Sequence, residues 1–269
     1  MIVDIKILLI DMEKLSSLRL KLDVECAQIS YRQGSLFHGA IMEILNSEYA
    51  DELHQSQLHP YSQYLESDSN GYVYWVVNCT NRKASDNILS PLLKLDSVFI
   101  KKLNREIRFV DKTYREDEYQ KLTGSFYNER ASRYIDLKIK SPLSFKKNDE
   151  YTIFPDLRNF YKSLMNKYDE AMKESDSSMF DLSTLDELCE KTRIIRYNLR
   201  SCGFPLEGVM IPSFWGSMSL KITGAQTLIN FAHMLFRFGE YSGIGIKTSM
   251  GMGAVAVIEN NGGVKNEND

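Results

Sequence analysis

Residues 239–253 read Gly-Glu-Tyr-Ser-Gly-Ile-Gly-Ile-Lys-Thr-Ser-Met-Gly-Met-Gly, five glycines in fifteen positions, between a segment with helical periodicity and a short apolar one. So many glycines commit the backbone to a sharply bent path that runs close to itself or to a ligand. A P-loop needs G-x-x-x-x-G-K-[ST], which is absent, and a dinucleotide fingerprint needs a glycine where Thr248 stands. Both motifs also run strand, loop, helix, whereas this segment runs helix, loop, strand. Two uses remain open. The turn is a tight connection whose glycines take positive φ, or it is a cradle that brings Gly243, Gly245, Gly251 and Gly253 close to a phosphate, with Lys247, Thr248 and Ser249 adding donors.

Hydrophobic periodicity supplies the frame around this turn. Val3, Ile5, Ile7 and Leu9 alternate with polar residues as in a strand, and Leu18 to Val24 continues or pairs with it. The period then becomes helical at Leu36, Phe37, Ala40, Ile41, Ile44 and Leu45, with a second short helix over 48–54. Residues 72–79 predict a buried strand, 87–95 a helix weakened by Pro91, and 98–110 one or two strands. The polar stretch 123–130 reads as a linker. A second round opens at 133–139. Leu157, Phe160, Tyr161, Leu164, Met165 and Tyr168 stripe a helix over 156–172, and strands follow near 194–200 and 216–222. A helix over 225–238, the glycine turn and a closing strand over 254–258 complete the round. The recurrence predicts a duplicated α+β architecture, with domains at 1–125 and 126–259 and a polar, disordered tail at 260–269.

Composition excludes several classes. The start of the chain is broken by Asp4 and Lys6, unlike a signal peptide, and no stretch approaches the roughly 18 apolar residues of a membrane span. Cys26, Cys79, Cys189 and Cys202 are widely spaced, without a C-x-x-C pair for zinc or redox chemistry, which fits a reducing cytoplasm. The formal net charge of −3 conceals segregation. Residues 41–70 hold six acids and no Lys or Arg, whereas 191–247 hold seven basic residues against two acids. That segment can form a local basic face or an ordinary solvated surface.

The turn before a short C-terminal strand resembles the RAMP superfamily, and within it the CRISPR repeat-processing endoribonucleases, the Cas six family. At the other end Phe37-His-Gly-Ala-Ile-Met-Glu-Ile-Leu45 and Ala50-Asp-Glu-Leu-His54 resemble that family's first helix and the catalytic segment after it. Pro155 to Arg158, Ile211 to Gly216 and Gly224 to Leu228 match as well, and the wording of the glycine turn is similar to members that accompany type III effectors. The resemblance implies two tandem ferredoxin-like (RRM-like) domains. It also implies a cofactor-free, metal-independent cut in repeat RNA, the pre-crRNA, that leaves a 2′,3′-cyclic phosphate and a 5′-hydroxyl.

Such a cut needs a base for the attacking 2′-hydroxyl and an acid for the leaving oxygen. Histidine serves either role near neutral pH. The resemblance places the catalytic histidine at His54. Some relatives carry a catalytic tyrosine where this chain has Met42, and His38, at the edge of the first helix's apolar stripe, is the replacement for the second role. His59, Tyr31 and Lys247 are lesser candidates for catalysis or positioning; His59 also reads as a solvated loop residue, Tyr31 as core, and His233 as structural. No His or Cys pair has metal-ligand spacing. Arg158, Lys162 and Lys167 can share one helix face, and Arg193 and Arg196 beside Tyr197 offer the basic and aromatic mixture that grips unpaired nucleotides. The expected partner is repeat RNA as pre-crRNA or crRNA, with transient contact to a type III effector complex, a homodimer left open, and no membrane. The alternative is a non-catalytic RAMP subunit that holds crRNA in an effector complex.

Overall fold

A computed structural model describes residues 14–128, 130–173 and 180–258. The strand expected over the first ten residues and the polar tail at 260–269 lie outside the described residues. The first half runs β1 (Lys14–Glu25), α1 (Gly34–Ile44), α2 (Ser47–Gln55), β2 (Tyr61–Ser67), β3 (Tyr72–Cys79), helical turns over 82–94 (α3), β4 (Ser97–Ile100) and β5 (Arg105–Glu118). After α4 (Tyr119–Asn128) the second half runs β6 (Tyr134–Leu143), a small hairpin of β7 (Phe145–Lys147) and β8 (Glu150–Thr152), α5 (Leu157–Ala171), α6 (Leu182–Lys191), β9 (Thr192–Leu206), β10 (Val209–Ile222), α7 (Gln226–Ser242) and β11 (Val255–Ile258).

The sheets are ordered β2-β3-β1-β5-β4 and β11-β6-β10-β9, with antiparallel neighbours. With the short edge strand β4 set aside, both follow one rule: the first strand in the chain lies between the third and the last, and the second lies outside the third. That is the split β-α-β order of the ferredoxin-like fold, present twice. In β1 the period of two holds from Leu18 to Leu22. Leu18, Leu20 and Leu22 are buried, while Arg19 and Lys21 take the opposite face. One core gathers around Trp75 and Phe37, the other around Phe160, Phe236 and Phe238. Among the described residues no helix is long and apolar enough to cross a membrane.

Local chemistry explains where the elements depart from expectation. The stretch read as a linker is helical as far as Asn128, because Tyr119 and Leu122 bury one face and the Tyr119 hydroxyl donates to Thr80 O at 2.7 Å. The helix over 82–94 widens into a π turn at Ser85–Leu89, ahead of Pro91, which has no N–H to continue the ladder. The strands near 194–200 and 216–222 are parts of a longer hairpin. It turns at Glu207 and Gly208, whose φ values of 50° and 82° suit the tight turn of a two-residue loop.

Candidate active site

Three segments meet at one end of β2. The first is α1, which begins at Gly34 and places His38 one turn later. The second is α2, whose N-terminus is capped by Asn46 accepting from Tyr49 N at 2.8 Å and whose buried Tyr49 and Leu53 fix the helix, leaving His54 exposed in its last turn. The third is the glycine turn. His59 and Tyr61 enter from the loop before β2 and from its first residue, and with Gln63 they share one side of the strand at a spacing of two.

The rings of His38, His59 and Tyr61 form a near-parallel group. Centroids lie 6.1 Å apart for His38 and His59, 6.2 Å for His38 and Tyr61, and 5.6 Å for His59 and Tyr61. The Tyr61 hydroxyl is 2.7 Å from His38 Nδ1, and the Ser249 hydroxyl is 3.0 Å from His59 Nδ1. Burial lowers the His38 pKa to about 4, helped by the neighbouring His59, His54 and Lys247, while the Ser249 carbonyl pulls the other way. His59 is lowered for the same leading reason, with His54 and Lys247 adding to it and the Leu53 carbonyl opposing. His38, His54, His59 and Lys247 are thus close enough to act on one another electrostatically. Three imidazoles and an ammonium in one place can exchange protons and neutralise a developing negative charge.

The glycine turn is shaped by the protein's own backbone. Gly243, Gly245, Gly251 and Gly253 all have positive φ. A Cβ on Gly253 would lie 2.0 Å from Ile244 O, one on Gly245 2.3 Å from Ser144 O, and one on Gly251 2.9 Å from Gly34 Cα. Gly245 N donates to Ser163 Oγ at 2.8 Å and Gly253 N to Pro142 O at 2.9 Å. Between them Lys247 is exposed and takes the left-handed conformation at φ 55°. Thr248 and Ser249 are buried, so their hydroxyls serve the interior.

Beneath the turn Lys167 is buried rather than exposed, and this corrects its grouping with Arg158 and Lys162. Its ammonium donates to Ser242 O and Gly243 O at 3.1 Å and to Thr248 Oγ1 at 3.0 Å. Lys162 is exposed, and Arg158 is exposed and paired with Asp186 at 2.5 Å. The Arg193 guanidinium folds back on the carbonyls that end α6, Glu190 O at 2.6 Å among them, and Arg196 reaches Ser219 Oγ at 3.4 Å across the sheet. Tyr31 packs on Trp215, with ring centroids 5.0 Å apart, in a small cluster with Phe204 and Met252, outside the histidine group. His233 bonds Ser132 O at 2.7 Å. Sequence reasoning missed Tyr61 and Gln63 and set Lys167 on a surface face. The period-two run His59, Tyr61, Gln63 was the available signal for the first two.

Known proteins resemble this chain in sequence and in fold. The family model described as CRISPR-associated endoribonuclease Cas6 matches residues 137–255. The CRISPR-associated endoribonuclease Cas6 of Streptococcus thermophilus is 36% identical over 225 residues, covering 83% of this chain and 90% of that protein. The protein of the same description from Mycobacterium tuberculosis is 28% identical over 252 residues, covering 91% and 79%. Among solved structures, a Cas6 product complex superimposes with a TM-score of 0.76 at 20% identity over 91% of this chain and 100% of the other. A Cas6 substrate-mimic complex gives a TM-score of 0.68 at 19% identity over 91% and 99%. With a relative of 36% identity along most of both chains and the duplicated ferredoxin-like fold, this chain belongs to the CRISPR-associated endoribonuclease Cas6 family.

Proposed function

We propose that this protein cuts CRISPR repeat transcripts into guide RNAs by general acid and base catalysis, without a metal, through a 2′,3′-cyclic phosphate. The observation that carries the reading is the convergence of His38, His54, His59 and Lys247 from α1, α2, the loop before β2 and the glycine turn. His38, whose pKa is lowered to about 4, is neutral near pH 7 and able to accept a proton. It takes the proton of the 2′-hydroxyl as that oxygen attacks the adjacent phosphorus. His54 gives a proton to the departing 5′-oxygen, and Lys247 faces the charge that builds on the phosphorane. Among the described residues no three His, Cys, Asp or Glu side chains are grouped to hold a metal ion.

The RNA follows the basic and aromatic surfaces that the two sheets turn outward. In the first, the Arg19 guanidinium lies 3.3 Å from the Tyr74 ring centroid and Lys21 Nζ lies 3.2 Å from that of Tyr72. In the second, Arg200 lies 4.5 Å from the Trp215 ring, and Arg196 shares that strand. Purified protein incubated with repeat RNA in excess EDTA tests the reading on a denaturing gel. A single cut with a cyclic phosphate end is expected. Cleavage abolished by chelator and restored by magnesium would sink the mechanism, and tight binding without any cut would favour a guide-holding subunit.

A further inference from the structure

An imidazole passes protons to a substrate efficiently when its other nitrogen is held, because that hydrogen bond fixes both the ring's orientation and its tautomer. His38 and His59 are each held at Nδ1 by a hydroxyl, of Tyr61 and of Ser249. A hydroxyl orients the ring in either tautomer, and for a base it accepts from Nδ1–H so that Nε2 keeps its lone pair. The two clamps have different standing. Ser249 belongs to the glycine turn and is within the site's own machinery. Tyr61 is the first residue of β2, paired with Cys79 of β3, and is 0% exposed, so it cannot touch RNA. Its influence must pass through His38.

Burial holds the Tyr61 phenol well above the usual tyrosine range, so it remains a neutral hydroxyl wherever the enzyme works. Its ring lies nearly parallel to both imidazoles, at interplanar angles of 13°. The rigid β2 backbone therefore sets the plane in which His38 can lie. A phenylalanine would fill the same space and keep the ring group, but it would take away the oxygen that His38 Nδ1–H meets when Nε2 keeps the lone pair of a base. We propose that Tyr61 is the positioning residue of this site: its hydroxyl clamps His38 through Nδ1 and makes Nε2 the nitrogen that exchanges a proton with the RNA. The proposal rests on reading His38 as catalytic.

The test is single-turnover cleavage of repeat RNA by the wild type, Tyr61→Phe, His38→Ala and the double variant, between about pH 3.5 and 9, with RNA affinity and thermal melting measured alongside. Tyr61→Phe is expected to cut about 10- to 100-fold more slowly with affinity within a few fold, to displace the acidic limb of the pH–rate profile, and to add nothing in the His38→Ala background. A wild-type rate for Tyr61→Phe beside a crippled His38→Ala overturns the clamp and leaves the catalytic reading standing. So does a Tyr61→Phe loss that multiplies with that of His38→Ala, or one that accompanies lower melting with an unmoved acidic limb. A wild-type rate for His38→Ala overturns the reading underneath, and the clamp with it.

Discussion

Gly34, at the start of α1, and Gly251, at the end of the glycine turn, lie backbone against backbone. A Cβ on Gly251 would come within 2.9 Å of Gly34 Cα, and one on Gly34 within 2.8 Å of Met250 O. The same turn is bonded to the first half by Gln63, whose side-chain amide donates to both Gly34 O at 2.8 Å and Ser249 O at 3.1 Å. The spacing between His38 and the turn's Lys247 and Ser249 therefore depends on two missing side chains. Gly251→Val adds atoms where the gap is closed and also opposes φ +109°, so a loss of stability of at least about 2 kcal/mol is expected. Urea unfolding should show it, and cleavage should fall in the fraction that remains folded. A wild-type midpoint would mean that the two halves separate at no cost.

Lys167 supports the turn from the opposite side. Burial lowers its pKa to about 7, while three oxygen acceptors around the ammonium favour the charged form. Lys167→Met keeps most of the volume but leaves Ser242 O, Gly243 O and Thr248 Oγ1 without this donor. A destabilisation of about 1–3 kcal/mol is expected, with cleavage reduced more than RNA affinity because the turn that carries Lys247 loosens. Chemical denaturation and single-turnover assays on one preparation decide it. An unchanged rate would separate the anchor from the chemistry.

The histidine group gives stability a pH dependence of definite sign. His38 and His59 have folded pKa values below their unfolded ones, so the unfolded chain binds more protons as pH falls from about 6.5 towards 4. Their contribution is whole above about pH 6.5 and is lost through that window. For His38 alone the loss is up to about 3 kcal/mol, less whatever solvent access relieves. The urea midpoint of the wild type should drop more steeply over this range than that of His38→Gln. Parallel slopes would show that His38 is not desolvated.

Much of this site was legible because the carrying signals were local. The stripe Phe37, Ala40, Ile41 announced α1, and the five glycines announced the turn. What escaped depended on contacts between the halves. The residues of β2, Tyr-Ser-Gln-Tyr-Leu-Glu-Ser, show no apolar alternation because both faces are covered: Ser62 donates to Tyr241 O at 2.6 Å on one side, and Gln63 serves the turn on the other. Tyr61 was hidden with its strand. Lys167 looked like a surface charge since its acceptors, two backbone carbonyls and a threonine hydroxyl, lie 75 to 81 residues away, and no sequence pattern marks them. The helix α6 was not expected, because it buries only Leu185 and Leu188 and the rest of its surface is largely polar. For the glycines the ambiguity between a tight connection and a phosphate cradle could only be judged from what occupies each missing Cβ.

The sharpest prediction divides the two catalytic roles. His54 stands exposed at the end of α2, while His38 is partly buried and clamped, an asymmetry suited to a donor that meets the leaving oxygen and an acceptor kept neutral. His54→Ala and His38→Ala should each lower single-turnover cleavage by about 10² or more and leave repeat RNA affinity within a few fold, since proton transfer is felt in the transition state and affinity comes from phosphate and base contacts elsewhere. The double variant should be little worse than the worse single one, because groups acting on one transition state are not additive. Leaving-group assistance separates the roles. An RNA whose scissile 5′-oxygen is replaced by sulfur needs no proton on departure, so it should restore His54→Ala towards the wild-type rate and leave His38→Ala slow. Rescue of His38→Ala instead would exchange the two assignments. Near-wild-type cutting of ordinary RNA by both single variants would remove them, and His59, 3.0 Å from Ser249 Oγ in the same ring group, would be the next residue to replace.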